Sequence, residues 1–197
     1  MKRATEAHVS ANLFELGLGH VVVTRFRGDG EAELGVFLVD VNCLGVKDAY
    51  FARVTQFEYD RELLDRILPA DNRKPLDPPS ARKLVEDAVA YAGRLGLAPH
   101  PDHKKACRVF GGIDPAASAA SFTFGREGKP FYVQGKYDSF ERCLQILRQL
   151  RARCGDDNFD FLAVGGERET EMLAREGFKI RQKVPVPPEE QDDESQN

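Results

Sequence analysis

The stretch Leu34–Phe51 reads LGVFLVDVNCLGVKDAYF, and the rest of the chain is organised around it. From Val36 to Val41 it is almost unbroken β-branched and aromatic residue, with Asp40 the only charge. A run of that length and composition predicts a strand buried on both faces. Alternation sends Val36, Leu38, Asp40 and Asn42 to one side, and Phe37, Val39 and Val41 to the other. Cys43, Gly45, Lys47 and Asp48 follow where this strand is expected to leave the core.

Working outward, His20–Phe26 (HVVVTRF) reads as a preceding strand. Gly28-Asp29-Gly30 supplies residues that tolerate positive φ, as a hairpin turn requires. Gly17-Leu18-Gly19 comes before a strand and lacks a third glycine, so it is not a dinucleotide-binding loop. The residues before about Asn12 lack periodicity and read as a loose arm.

Beyond the hairpin, Phe57–Leu68 has the spacing of a short amphipathic helix. Pro69–Pro79 (PADNRKPLDPP) reads as a linker rich in breakers. Asp77 can cap the next helix with Pro78 in its first turn, and Leu84, Val85, Ala88, Val89, Ala92 and Leu95 form its apolar stripe up to Gly96. A further helix is expected from Pro101 to Phe110, stopped by Gly111-Gly112. The aromatic segments FTF and KPFYVQ flank Gly125–Gly128 and predict a second hairpin, Phe122–Gln134. Asp138 with Glu141 reads as a capping box for a helix ending at Gly155. A strand at Phe159–Val164, a helix at Glu167–Glu176 and a last strand at Phe178–Val184 complete the pattern.

These elements predict an α+β fold in which antiparallel hairpins pack against amphipathic helices. The expected globular unit is residues 13–185, as one domain or as two halves, 13–70 and 77–185. Residues 186–197 (VPPEEQDDESQN) read as a disordered acidic tail. The formal net charge is −4, but five acids lie in that tail, so the body is close to neutral. Such a balance does not by itself demand nucleic acid or a membrane. No apolar run approaches the ~20 residues that cross a bilayer. Four cysteines without a CxxC pair fit reduced thiols, and a cytoplasmic location is expected.

Three constellations could carry chemistry. Asp40 and Asp48, extended by Asp114 in its Asp-Pro turn, could form a divalent-cation site for phosphoryl chemistry, with Lys47 the neighbouring cation. The alternative is a structural aspartate satisfied at a strand end. His100, His103 and Cys107 can share a helical face and could ligate zinc, although their spacing matches no standard zinc module. A histidine-activated Cys43 nucleophile is set against an inert buried thiol. In the second hairpin, Phe122 and Phe131 alternate with Arg126 and Lys129, a pattern that could stack single-stranded bases. The competing role for these aromatics is core packing.

The segments GVFLVDVNCLGVKDAYF and FTFGREGKPFYV, with GLAPHPDHKKACRVFGGIDP between them, resemble an uncharacterised bacterial protein family over about residues 21–150. That resemblance implies no activity or cofactor. Separately, LAREGFKI (173–180) resembles the end of an acetyltransferase domain, but the glycine-rich pyrophosphate loop is missing. The leading expectation is a non-enzymatic binding or adaptor protein with a protein or nucleic-acid partner. The alternative is a metal-dependent hydrolase or nuclease centred on Asp40 and Asp48.

Overall fold

The computed structural model describes residues 5–180. The chain begins with β1 (Thr5–Ser10), a short α1 (Leu13–Leu16), β2 (Leu18–Phe26), β3 (Glu31–Asp40) and β4 (Gly45–Thr55). Next come α2 (Gln56–Glu58), a π-helical turn (Tyr59–Leu63), α3 (Leu64–Ile67), β5 (Arg73–Leu76) and α4 (Pro78–Arg94). Then follow α5 (His103–Ala106), a 3₁₀ turn (Cys107–Phe110), β6 (Phe131–Val133), α6 (Phe140–Cys154), β7 (Asp160–Leu162) and α7 (Glu167–Arg175). The fold is α+β, built on a five-stranded antiparallel sheet of order β4-β3-β2-β1-β5.

The expected hairpin is β2–β3, with Gly30 at φ +84° and Asp29 accepting a bond from the Glu31 N–H. β-branched residues fill its centre, and their alternation splits them between two cores. Val21, Val23, Phe37 and Val39 pack with Ala81, Leu84, Val85 and Ala88 of α4 and with Val109 and Phe110. Val22, Leu34 and Val36 face the opposite way, beneath Tyr59 and Leu68. Gly35 permits the first packing: a Cβ there would lie 2.5 Å from the Val109 side chain. A third core joins Cys43 and Ala92 to Tyr132, Cys143, Leu147 and Leu150 around α6.

Several expectations need correction. The supposed loose arm is β1, paired on both sides, so the sheet begins before residue 13. The supposed linker contains β5, which pairs with β1; Pro75 is tolerated because β5 is an edge strand. The chain does not leave the core after Asn42. It turns and returns as β4, and a β-bulge between Leu38 and Val39 leaves Lys47 as the extra residue.

The second hairpin does not form. Arg126 and Lys129 make an isolated bridge, whereas β6 pairs in parallel with β7 through the α6 crossover. The Gly125 and Phe131 N–H groups instead donate to the carbonyls of Val41 and Asn42. Ser139, rather than Asp138, caps α6 by accepting from the Arg142 N–H; the Asp138 carboxylate accepts from the Gly135 N–H. Asp77 caps α4 as expected, accepting from the Ser80 N–H at 2.9 Å. Residues 178–180 are not a strand, and the remainder of that expected strand, like the acidic tail, lies outside the described residues. Among the described residues no helix is long and apolar enough to cross a membrane.

Candidate functional site

The aspartates expected to hold a metal serve separate local structures. Asp40 ends β3, and its Oδ1 accepts the N–H groups of Asn42 and Cys43 at 2.8 and 2.9 Å. It is therefore a buried turn acceptor. Burial pushes its carboxyl above the usual range, while the N–H groups of Cys43, Leu44 and Asn42 and the charge of Lys47 oppose the shift. Asp48 is exposed on β4, accepts from the Ala49 N–H, and lies 3.5 Å from His100 Nε2. The bulge turns Lys47 towards Asp138, 3.6 Å away. Asp114 caps a short turn by accepting from the Ala116 N–H.

The histidine–cysteine trio is likewise divided. His100 Nδ1 accepts from the Asp102 N–H, and its other nitrogen faces Asp48. His103 instead places Nε2 3.2 Å from Cys107 Sγ and packs edge-on against Phe37. Among the described residues, no group of three or more His, Cys, Asp or Glu side chains is arranged to hold a metal ion. The trio fails as a ligand set because a loop precedes α5, so His100 does not continue the helical face. Burial pushes the Cys107 thiol up to about 11 and raises Cys43 further, with Asp40 adding to the latter. Neither is an activated thiolate at neutral pH.

The aromatic and basic residues expected to meet nucleic acid are also engaged internally. Phe122 stacks on Phe14 at 5.9 Å. The Arg126 guanidinium lies 4.8 Å from the Phe131 ring centre, and Lys129 donates to the Asp157 carbonyl. Without a hairpin, no continuous sheet face presents these rings together.

A different site emerges where β1 and β5 meet the π-helical turn. It is a cleft of about 280 Å³ lined by Glu6, His8, Tyr59, Asp60, Glu62, Leu64, Asp65 and Arg73. Thr55 and Glu58 form a capping box that starts this helical segment. The π-turn follows immediately, and such insertions re-aim side chains and frequently mark functional positions. Tyr59 is held in the sheet-facing core and donates a 2.7 Å bond from its phenol to Glu6. Arg73 donates to Asp65 at 2.7 Å and to the Leu68 carbonyl at 3.2 Å.

His8 Nδ1 is buried without a hydrogen-bond partner among the described residues. Burial holds the His8 pKa below its ordinary value; Glu6 opposes that shift and Arg73 adds to it. Burial also raises the Tyr59 phenol, which remains a neutral donor at physiological pH. The cleft thus offers a neutral imidazole, a phenol and carboxylates in excess of its single guanidinium. The sequence carried one local signal for it: Glu6, His8 and Ser10 alternate as polar residues on one face of β1. Comparison with family models, curated proteins and solved structures finds no match to this chain.

Proposed function

We propose that the chain is a non-enzymatic binding protein that receives a small, positively charged polar ligand in the Glu6–His8–Tyr59–Arg73 cleft. The observation that carries this reading is the cleft itself, lined by the acids Glu6, Asp60, Glu62 and Asp65 together with His8, whose buried Nδ1 has no hydrogen-bond partner among the described residues. A concave site with a few convergent polar groups is the geometry that small ligands use, and the volume of about 280 Å³ falls just below the ~300–1,000 Å³ range of drug-sized ligand pockets, as suits a small ligand. An organic ammonium matches the excess of carboxylates over the single guanidinium, and its N–H groups can donate to those carboxylates.

The reading is tested by calorimetric titration with 1,4-diaminobutane and with L-arginine at low ionic strength. Saturable binding of one of them, weakened in Glu62→Gln and Tyr59→Phe, supports it. Binding of neither amine, or binding indifferent to both substitutions, overturns it.

A further inference from the structure

A second constellation lies on β2, β3 and β4. Register places Arg25 opposite Glu33, and Glu33 opposite Arg53, so the three form one row across the sheet. Arg25 Nε donates to Glu33 Oε2 at 2.9 Å, and Arg25 Nη2 donates to the same oxygen. Arg27 Nη1 and Arg53 Nη2 donate to Glu33 Oε1 at 3.0 and 3.1 Å. Three guanidiniums therefore converge on one carboxylate.

Exposure divides the roles. The Glu33 side chain is 3% exposed, whereas those of Arg25, Arg27 and Arg53 are 34%, 43% and 62% exposed. The carboxylate is the buried anchor, and the cations form an outward-facing rim. Three Arg and one Glu leave a surplus of two positive charges. Burial alone would raise the Glu33 carboxyl; the Arg25 hydrogen bond and the charges of Arg25, Arg27 and Arg53 overcome it and keep the carboxyl low. The anchor therefore remains ionised at neutral pH and fixes the guanidiniums in advance of any ligand, which lowers the ordering cost of binding.

A glycine loop packs against one side of the rim, at Arg25. Gly111 approaches so closely that a Cβ there would lie 2.4 Å from Arg25 Nη1, and a Cβ on Gly112 would meet nothing within 4 Å. We infer that the Arg25–Arg27–Arg53 rim, anchored by Glu33, is a binding site for a phosphate monoester group. Guanidinium forks match phosphate oxygens, and the surplus charge matches a group carrying about −1.5 to −2 at pH 7. A carboxylate or a phosphodiester brings only one negative charge. This site uses strands and charges different from those of the amine cleft, so either reading can fail while the other stands.

The test is calorimetric titration of the full chain with phenyl phosphate and with inorganic phosphate at low ionic strength and pH 7.5. Acetate and dimethyl phosphate serve as singly charged comparisons. Arg27→Gln and Arg53→Gln alter the two most exposed side chains, and circular dichroism confirms that each variant is folded. Phenyl phosphate is expected to bind more tightly than acetate or dimethyl phosphate, with each substitution weakening it by about tenfold. Tighter binding of phenyl phosphate than of inorganic phosphate assigns the site to esters; equal binding assigns it to the phosphate group alone, and both support the inference. No binding of either phosphate to the native chain overturns it. So does equal affinity for acetate, or undiminished affinity in the folded Arg27→Gln/Arg53→Gln double variant.

Discussion

Tyr59 and Glu6 lie 53 residues apart in sequence, yet the phenol donates a 2.7 Å hydrogen bond to the carboxylate and ties the π-helical turn to β1. The Tyr59 ring is itself buried beside Phe26, with ring centres 5.5 Å apart and an edge-on orientation. Tyr59→Phe keeps that packing and removes only the bond, so it is expected to cost about 1.5 kcal/mol, the lower end for a bond to a charged group. Tyr59→Ala also empties a core position and should cost roughly 3–5 kcal/mol, by analogy with Phe→Ala truncation. Urea unfolding of both variants measures the difference. Equal destabilisation would mean that packing contributes little and the bond dominates.

Three partly buried histidines predict how stability changes with pH. Burial lowers the pKa of His8, His20 and His103; Glu6, Asp48 and Glu86 respectively oppose it, while Arg73 adds to the lowering at His8. Each folded-state pKa thus lies below the unfolded value of about 6.5. The unfolded chain binds more protons in that window, so the contribution is fully present above about pH 6.5 and is lost as pH falls through the folded values. Glu33 acts separately and at lower pH: its depressed pKa supplies stability above its ordinary range that is lost as pH falls through the folded value. Urea midpoints from neutral to mildly acid pH should fall before the carboxylate range is reached, and His20→Asn should flatten that part of the slope. Because the raised Asp40 pKa contributes with the opposite sign, the decisive profile is that of Asp40→Asn, and a flat one through this window would contradict the assignment.

Two glycines separate backbone strain from steric crowding. Gly30 has φ +84° and open space where a Cβ would sit, whereas Gly45 has φ +66° and would place a Cβ 2.6 Å from the Ala88 carbonyl oxygen. Gly30→Ala is expected to cost roughly 1–2 kcal/mol for the left-handed conformation alone. Gly45→Ala adds overpacking against the α4 backbone, for a total of about 2–5 kcal/mol. Thermal and urea unfolding of the two variants compare them. An equally mild effect at both positions would show that α4 shifts away from β4 at little cost.

Legibility in the sequence followed the range of the interactions. Val21–Val23 and Val36–Val41 declare buried strands through composition, and Asp77-Pro78 declares a helix start through adjacent residues. By contrast, β5 contains Pro75 and becomes a strand because β1 offers it an edge to pair with. The aromatic alternation around Gly125–Gly128 pointed to a hairpin, but Gly125 and Phe131 found carbonyl acceptors on Val41 and Asn42 instead. The Arg25–Glu33–Arg53 row appears only once strand register is known, and Lys47 points to Asp138 because of a bulge that periodicity does not encode. The cleft depends on the distant pairing of Glu6 with Tyr59. Local chemistry thus foretold the central hairpin and the cap of α4, while long-range pairing made the two candidate sites.

Asp40 offers the sharpest test between structural and catalytic roles. Its Oδ1 accepts the Asn42 and Cys43 N–H groups, and an asparagine side-chain oxygen can accept both in the same position. Asp40→Asn should therefore change stability by less than about 1 kcal/mol, whereas Asp40→Ala leaves those donors without their acceptor and should cost about 2 kcal/mol or more. The pH dependence gives an independent sign. Burial raises the folded-state Asp40 pKa above its unfolded value, so protonation favours the fold and this contribution is lost as pH rises through the folded pKa. Asparagine stays neutral, and the stability of Asp40→Asn relative to the native chain should increase with pH across that interval. Melting temperatures recorded against pH, with and without millimolar magnesium or manganese, measure both effects. A structural acceptor predicts no metal response in either protein. If either metal raised the native melting temperature and Asp40→Asn abolished the rise, Asp40 would be a metal ligand, because a ligand stabilises the state that binds it.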